Sequence, residues 1–327
     1  MAKIFVTGAS GFIGGALARH LIALSHQVLA MSRSEASDEK LRKLGAEPIR
    51  GELGSPMADA LHGVDWVIHC AAKVEDFGHY DDFYRINVTG TNSLLTDCVQ
   101  ARVPRFLFLS TEAVLLDGRS KYEMNEQTPY PLQTPFLYSQ TKIAAEKLVR
   151  AANSEELQTF VVRPRMVWGP GDTHFIPELK KMAKKKALMW IDQGVHRTST
   201  THIRNLLHGI DLIMAKGQPG EVYFITDGDP ISLREFISML VETLGFPAPT
   251  KSIPGFVARG LAQVLEPLWV LLRLPGKPPM TKLAACFLST EGTVDITKAK
   301  TKLGYRPVIS RAAALVELAN TETTEGH

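Results

Sequence analysis

Through the first half of the chain, short runs of β-branched and aromatic residues alternate with stretches whose apolar positions recur at helical spacing. KIFVT (3–7), QVLAM (27–31), EPIR (47–50), DWVIHC (65–70), RFLFLS (105–110) and TFVVRP (159–164) predict buried strands. Between them, FIGGALARHLIAL, NVTGTNSLLTDCVQA and SQTKIAAEKLVRAAN predict helices. Strand–helix alternation of this kind predicts an α/β fold with a doubly wound parallel sheet, because each crossover helix must cover a sheet face.

The pattern changes after residue 165. Loops rich in proline and glycine (WGPGDTHF, SIPGF, LPGKPPM) interrupt helical segments, and EVYFIT (221–226) is one further strand. The expected organisation is a dinucleotide-binding (Rossmann) domain over 1–165, to which 195–226 returns. A smaller, mostly helical C-terminal cap would take 166–194 and 227–320, and the polar tail 321–327 is expected to be disordered.

Composition narrows the class. The chain has 327 residues, 45% hydrophobic and 22% charged, as expected of a soluble globular protein. Its 37 basic against 34 acidic residues provide no electrostatic case for nucleic acid. The basic run KKMAKKK (180–186) reads as a solvated helix face. Cys70, Cys98 and Cys286 form no CxxC pair, so neither a metal site nor a disulfide framework is indicated. MAKIFVTGAS begins directly with a strand, without signal-peptide character, and a cytoplasmic protein is expected.

VTGASGFIGG follows the first strand and opens the first helix, with Gly8, Gly11 and Gly14 spaced GxxGxxG. In that context glycines let backbone approach a pyrophosphate at a helix N-terminus, and Ser10, Phe12 and Ile13 belong to the same loop. The second strand ends AMSRS, with Ser32 where an acid would accept from an NAD ribose, and Arg33 next. A guanidinium suits a 2′-phosphate, so NADP(H) is favoured over NAD(H). Glu52 and Leu53 are placed at the adenine, and Ala71, Ala72 and Lys73 of HCAAK at the cofactor crevice.

Taken together, TGASGFIG, GEL (51–53), HCAAK, NVTGT (87–91), STEAV (110–114), YSQTK, RPRMVWGPGD (163–172) and FITDG (224–228) resemble the extended short-chain dehydrogenase/reductase (epimerase/dehydratase) superfamily over almost the whole length. Within it the chain is similar to the 3β-hydroxysteroid dehydrogenase-like branch, which includes sterol dehydrogenases and bacterial 2-alkyl-3-ketoacid reductases. The resemblance implies a catalytic triad of Thr111, Tyr138 and Lys142, with Thr111 preferred over Ser110. It also implies cofactor contacts from Tyr138, Lys142, Pro164 and Val167, and a homodimer formed by helices at 89–101 and 139–153. Of the seven tyrosines only Tyr138 has a lysine four residues on, one helical turn away. That ammonium is expected to lower the tyrosine's pKa from about 10.

The implied activity is NAD(P)-dependent interconversion of a secondary alcohol and a ketone. The leucine-rich stretch 256–274 reads as core, as a lid over a large apolar substrate, or as a membrane-surface contact. Lys73, Phe77, Tyr80 and Asp172 are candidate pocket residues. A sugar-nucleotide epimerase or dehydratase is the enzyme alternative, and a non-catalytic NADP(H)-binding regulator the third. For a dehydratase, Glu112 is expected to point away from Thr111, since neighbouring strand residues face opposite ways.

Overall fold

The computed structural model describes residues 1–325. Seven parallel strands form the central sheet: β1 (Lys3–Thr7), β2 (Gln27–Ser32), β3 (Glu47–Arg50), β4 (Trp66–His69), β5 (Arg105–Leu109), β6 (Gln158–Pro164) and β7 (Val222–Ile225). Their order across the sheet is β7-β6-β5-β4-β1-β2-β3. The order reverses between β1 and β4, where a crevice opens at the strand C-termini.

Side-chain alternation explains why both faces need cover. Along β1, Ile4 and Val6 pack with α1 (Phe12–Ala23), α2 (Glu35–Leu44) and a helix at Ile203–Lys216, while Phe5 packs on the opposite face. On that face Leu94, Leu95 and Cys98 of α3 (Gly90–Gln100) join Ala145 and Val149 of α4 (Leu137–Ala151). Each large side chain so buried contributes roughly 1.5–3 kcal/mol.

After β6 the chain builds α5 (Phe175–Lys184), α6 (Ile203–Lys216, the helix already met against β1), α7 (Leu233–Thr243), α8 (Gly255–Leu271), α9 (Lys282–Ser289) and α10 (Arg311–Glu325). The expected disordered tail is helical as far as Glu325, and residues 326 and 327 lie outside the described residues. The second part is mostly helical, as expected, and adds short strands that the sequence pattern did not reveal. A four-stranded sheet joins Ile231–Ser232, Arg197–Thr198, Gly292–Val294 and Lys121–Met124, the last from the first half of the chain. Strands of two to four residues carry no readable alternation, so only their distant partners define them.

The leucine-rich stretch proves not to be core. Within α8 only Gly255, Ala258 and Ala262 are buried. Among the described residues, no helix is long and apolar enough to cross a membrane.

Candidate active site

At the crevice the chain passes from β1 into α1 through two close approaches. Gly8 has φ +74°, and a Cβ there would stand 2.8 Å from the Ala71 nitrogen on the far side. A Cβ on Gly14 would lie 2.4 Å from the Gly8 carbonyl oxygen. Gly11 is the N-cap of α1 and supplies no side-chain cap, and no acid stands in the first turn. The helix therefore presents its free N–H groups and positive dipole end to the crevice. This cradle fits a dinucleotide pyrophosphate.

A cleft of about 660 Å³ runs from the glycine loop past the ends of β2 and β4 to α4. Gly8, Ser10, Gly11, Phe12, Ile13, Gly14, Arg33, Glu52, Leu53, Ala71, Ala72, Lys73, Thr111, Tyr138, Lys142, Pro164 and Val167 all line it. Ser32 does not. It is buried, and its hydroxyl donates to the Ser34 carbonyl at 3.1 Å to shape the turn into α2. Lys40, which sequence reasoning overlooked, donates to the Ser10 carbonyl at 2.6 Å and brings a second cation to the loop.

The ends of β1 and β4 are pinned by a residue whose role was not anticipated. His69 bonds Thr7 Oγ1 through Nδ1 at 2.7 Å and Thr91 Oγ1 through Nε2 at 3.0 Å. Thr7 Oγ1 in turn accepts from the Ala71 N–H at 3.1 Å. Burial, then the Lys142 charge, pushes the His69 pKa down to about 3, so it stays a neutral brace. Asn87 clamps the Lys73 backbone, accepting from its N–H at 2.7 Å and donating to its carbonyl at 3.1 Å.

On α4, Tyr138 and Lys142 share one face, yet their electrostatics differ from expectation. Lys142 is almost wholly buried; its ammonium donates to the Leu109 carbonyl at 2.8 Å and lies 3.9 Å from the centre of the Phe108 ring. Burial pushes it down to about 7, with Glu146 opposing. Tyr138 is pushed up rather than down, first by burial and then by the charge of Glu112, while a hydrogen bond with Thr111 opposes the rise. Lys142 does not supply the expected lowering, because a desolvated ammonium held by a carbonyl is itself driven towards neutrality.

The two neighbouring hydroxyls divide their partners. Ser110 donates to Glu146, which also accepts from Tyr130 at 2.6 Å and pairs with Arg163. Thr111 is therefore the hydroxyl beside Tyr138. The expected direction of Glu112 is wrong: Thr111 Oγ1 donates to Glu112 Oε2 at 2.8 Å. Strand alternation fails here because β5 ends at Leu109 and Glu112 opens a 3-10 turn, Glu112–Leu115. Glu112 is buried against Arg165, with Nη1 to Oε1 at 2.7 Å. Burial raises its pKa and the guanidinium opposes the rise.

A second, larger cavity of about 1540 Å³ opens beside Thr111 and shares Lys73, Met166, Val167 and Phe175 with the cofactor cleft. Trp269 and Val270 from the end of α8, Leu274 just beyond it, and Leu283, Phe287 and Leu288 of α9 supply apolar walls. Phe77 lines it, whereas Asp172 lines only the cofactor cleft, where it accepts from the backbone N–H groups of His174, Phe175 and Ile176. Tyr80 lies outside both, packed on Tyr84.

A parallel sheet reversing at a glycine-loop crevice, with a tyrosine and lysine one turn apart beside it, defines a nicotinamide-dependent short-chain dehydrogenase/reductase. More narrowly, residues 5–254 match the 3-beta hydroxysteroid dehydrogenase/isomerase family, and the chain belongs to it. It is 40% identical over 306 residues to the 4-hydroxy-2-methyl-3-oxo-4-farnesyl-3,4-dihydroquinoline-1-oxide ketoreductase of Stigmatella aurantiaca, covering 93% of this chain and 91% of that one. It is 36% identical to the 2-alkyl-3-oxoalkanoate reductase of Stenotrophomonas maltophilia, covering 94% and 96%. A solved structure of MoeE5 in complex with UDP-glucose and NAD shares the fold, with a TM-score of 0.77, 24% identity and coverage of 99% and 100%. The chain is an NAD(P)-dependent oxidoreductase acting between hydroxyl and keto groups.

Proposed function

We propose that this enzyme is an NADP(H)-dependent ketoreductase for a large apolar ketone, of the 2-alkyl-3-oxoalkanoate or sterol-like kind. The observation that carries the reading is the apolar cavity opening directly beside Thr111, next to the cofactor cleft. Several of its charged lining residues are already paired: Lys73 with Glu75, Lys277 with Asp76, and Lys181 with Glu178. An apolar ligand needs nothing from those groups, whereas a nucleotide diphosphate needs free cations.

Bound in the cleft, a nicotinamide cofactor supplies or accepts the hydride. The chain's residues do the rest. The glycine loop and the N-terminus of α1 hold the pyrophosphate, and Arg33, with Lys40 nearby, meets the 2′-phosphate. Tyr138 protonates the carbonyl oxygen as it becomes an alcohol, Thr111 fixes that oxygen, and Lys142 holds the nicotinamide ribose. The raised pKa of Tyr138 keeps it a proton donor at neutral pH.

Two further parts of the reading concern surroundings. Phe256, Leu261, Val264, Leu268, Leu271 and Leu272 are exposed along one side of α8. Its charged residues turn inward, Arg259 to Ser289 Oγ at 2.8 Å and Glu266 to the Lys282 N–H at 2.5 Å. Because the end of this helix lines the cavity, we place a membrane surface against it, delivering apolar substrate. The α3–α4 pair, packed side by side, is the proposed homodimer face.

The test is NADPH oxidation with a panel of 2-alkyl-3-oxoacids, sterol ketones and sugar nucleotides. Turnover confined to the apolar ketones supports the reading. Turnover confined to the sugar nucleotides overturns it.

A further inference from the structure

An ion pair stands where the cofactor cleft meets the larger cavity. Lys73 and Glu75 each line both spaces, and the Lys73 ammonium pairs with the Glu75 carboxylate. We propose that Lys73 is the residue that selects a 3-oxoacid, taking the substrate carboxylate in the place that Glu75 holds in the protein alone. The inference deepens the ketoreductase reading and rests on it.

In a 3-oxoacid the carboxylate carbon is two bonds from the keto carbon. With the keto oxygen at Thr111, which also lines both spaces, the carboxylate must fall near their junction. Lys73 is the only lysine or arginine there. Among the described residues, Arg33, Arg85 and Lys142 line the cleft alone, whereas Lys181, Arg273 and Lys277 line the cavity alone. His174 lines both, but it is exposed.

The lysine is held in place and its partner is not. Asn87, 2% exposed, accepts from the Lys73 N–H and donates to the Lys73 carbonyl. Its second amide N–H goes to Thr141 Oγ1 at 3.1 Å, which ties Lys73 to the helix of Tyr138. The Lys73 side chain is 18% exposed, with its ammonium 5.2 Å from the centre of the Phe83 ring. Glu75 is 61% exposed and, among the described residues, bonds to nothing else.

An ion pair with one partner in water is weak, so Glu75 gives way easily. Exchanging one carboxylate for another keeps a counter-charge on the sheltered ammonium, which loss of Glu75 alone would not. The other acids of the cavity do not compete for Lys73: Asp76 pairs with Lys277, Glu178 with Lys181 and Glu112 with Arg165. One cation matches one carboxylate, whereas a nucleotide diphosphate brings at least two charges.

The test is NADPH oxidation with a 2-alkyl-3-oxoacid and with its methyl ester. The readout is the ratio of kcat/KM for acid over ester, which cancels any change in folding or cofactor binding. Wild type is expected to favour the acid about 10- to 100-fold, as one charge-assisted pair allows. Lys73→Met should bring the ratio to about one, chiefly through KM, and Lys73→Arg should restore most of the preference. A wild-type ratio near one overturns the proposal, and so does a high ratio that survives Lys73→Met.

If Lys73→Met does not fold, Glu75→Gln removes the competing carboxylate from an exposed position. It should raise the ratio about threefold or more, and a ratio that stays or falls overturns the proposal. Binding of the 2-alkyl-3-hydroxyacid and its methyl ester to the NADP⁺ complex, measured by calorimetry, reads the same preference without turnover. Should wild type reduce no ketone, the ketoreductase reading fails while calorimetry still decides the role of Lys73. A preference for the acid in wild type that Lys73→Met loses supports it, and equal preferences overturn it.

Discussion

At the scale of single residues, the proposed preference for NADP(H) rests on Arg33. It is exposed on the wall of the cleft, one residue past the end of β2. Arg33→Ala is expected to raise the Kd for NADPH about 10- to 100-fold while leaving NADH nearly unchanged, the worth of a charged hydrogen bond. Equal losses for both cofactors, measured by protein fluorescence quenching, would refute the assignment. Residue types with a covalent signature were legible in advance: the three glycines, Tyr138 and Lys142. Ser32 and Glu112 were misread for one reason. For both, local hydrogen bonds decide direction: Ser32, the last residue of β2, turns its hydroxyl to the Ser34 carbonyl although it stands at the ribose-acid position, and for Glu112 period-2 alternation was carried past the end of a strand. His69 gave no advance signal of its brace, since its partners Thr7 and Thr91 are far away in sequence.

At the scale of elements, α8 is the informative case. A soluble helix normally turns its apolar side inward, and this one buries glycine and alanine while exposing phenylalanine and leucine. A double variant, Leu268→Asp with Leu271→Asp, alters two exposed side chains away from the cavity wall. It is expected to abolish co-flotation with lipid vesicles, keep the melting temperature within about 2 °C, and leave kcat on a detergent-dispersed ketone unchanged. Retained flotation would contradict a membrane role for this helix. The seven strands of the main sheet were readable to within a residue or two, because continuous apolar runs mark strands covered on both faces. The short strands of the second sheet were not, because long-range pairing defines them.

At the scale of the molecule, the buried lysine links the active site to stability. The Lys142 pKa falls from 10.5 to about 7 in the folded protein, so the unfolded chain binds more protons between those values. Its burial penalty is therefore full at and below about pH 7 and fades as pH rises towards 10.5. Lys142→Met should accordingly melt higher than wild type at pH 7 without cofactor, with the gap narrowing towards pH 10. A gap constant across that range would show that Lys142 is not desolvated as described. Topology was legible as a parallel doubly wound sheet, and the cleft at the β1–β4 reversal followed from it. The shape of the apolar cavity was not, because its walls come from α5, α8, α9 and loops far apart in the chain.

The central claim is that Tyr138 donates the proton in NADPH-dependent reduction of an apolar ketone. Wild type and Tyr138→Phe are compared in steady-state NADPH oxidation with a 2-alkyl-3-oxoacid, alongside NADPH binding. The expected result is a kcat lower by about 10²- to 10⁴-fold in the variant, with an unchanged Kd for NADPH. A variant that binds NADPH equally and keeps full kcat would contradict it.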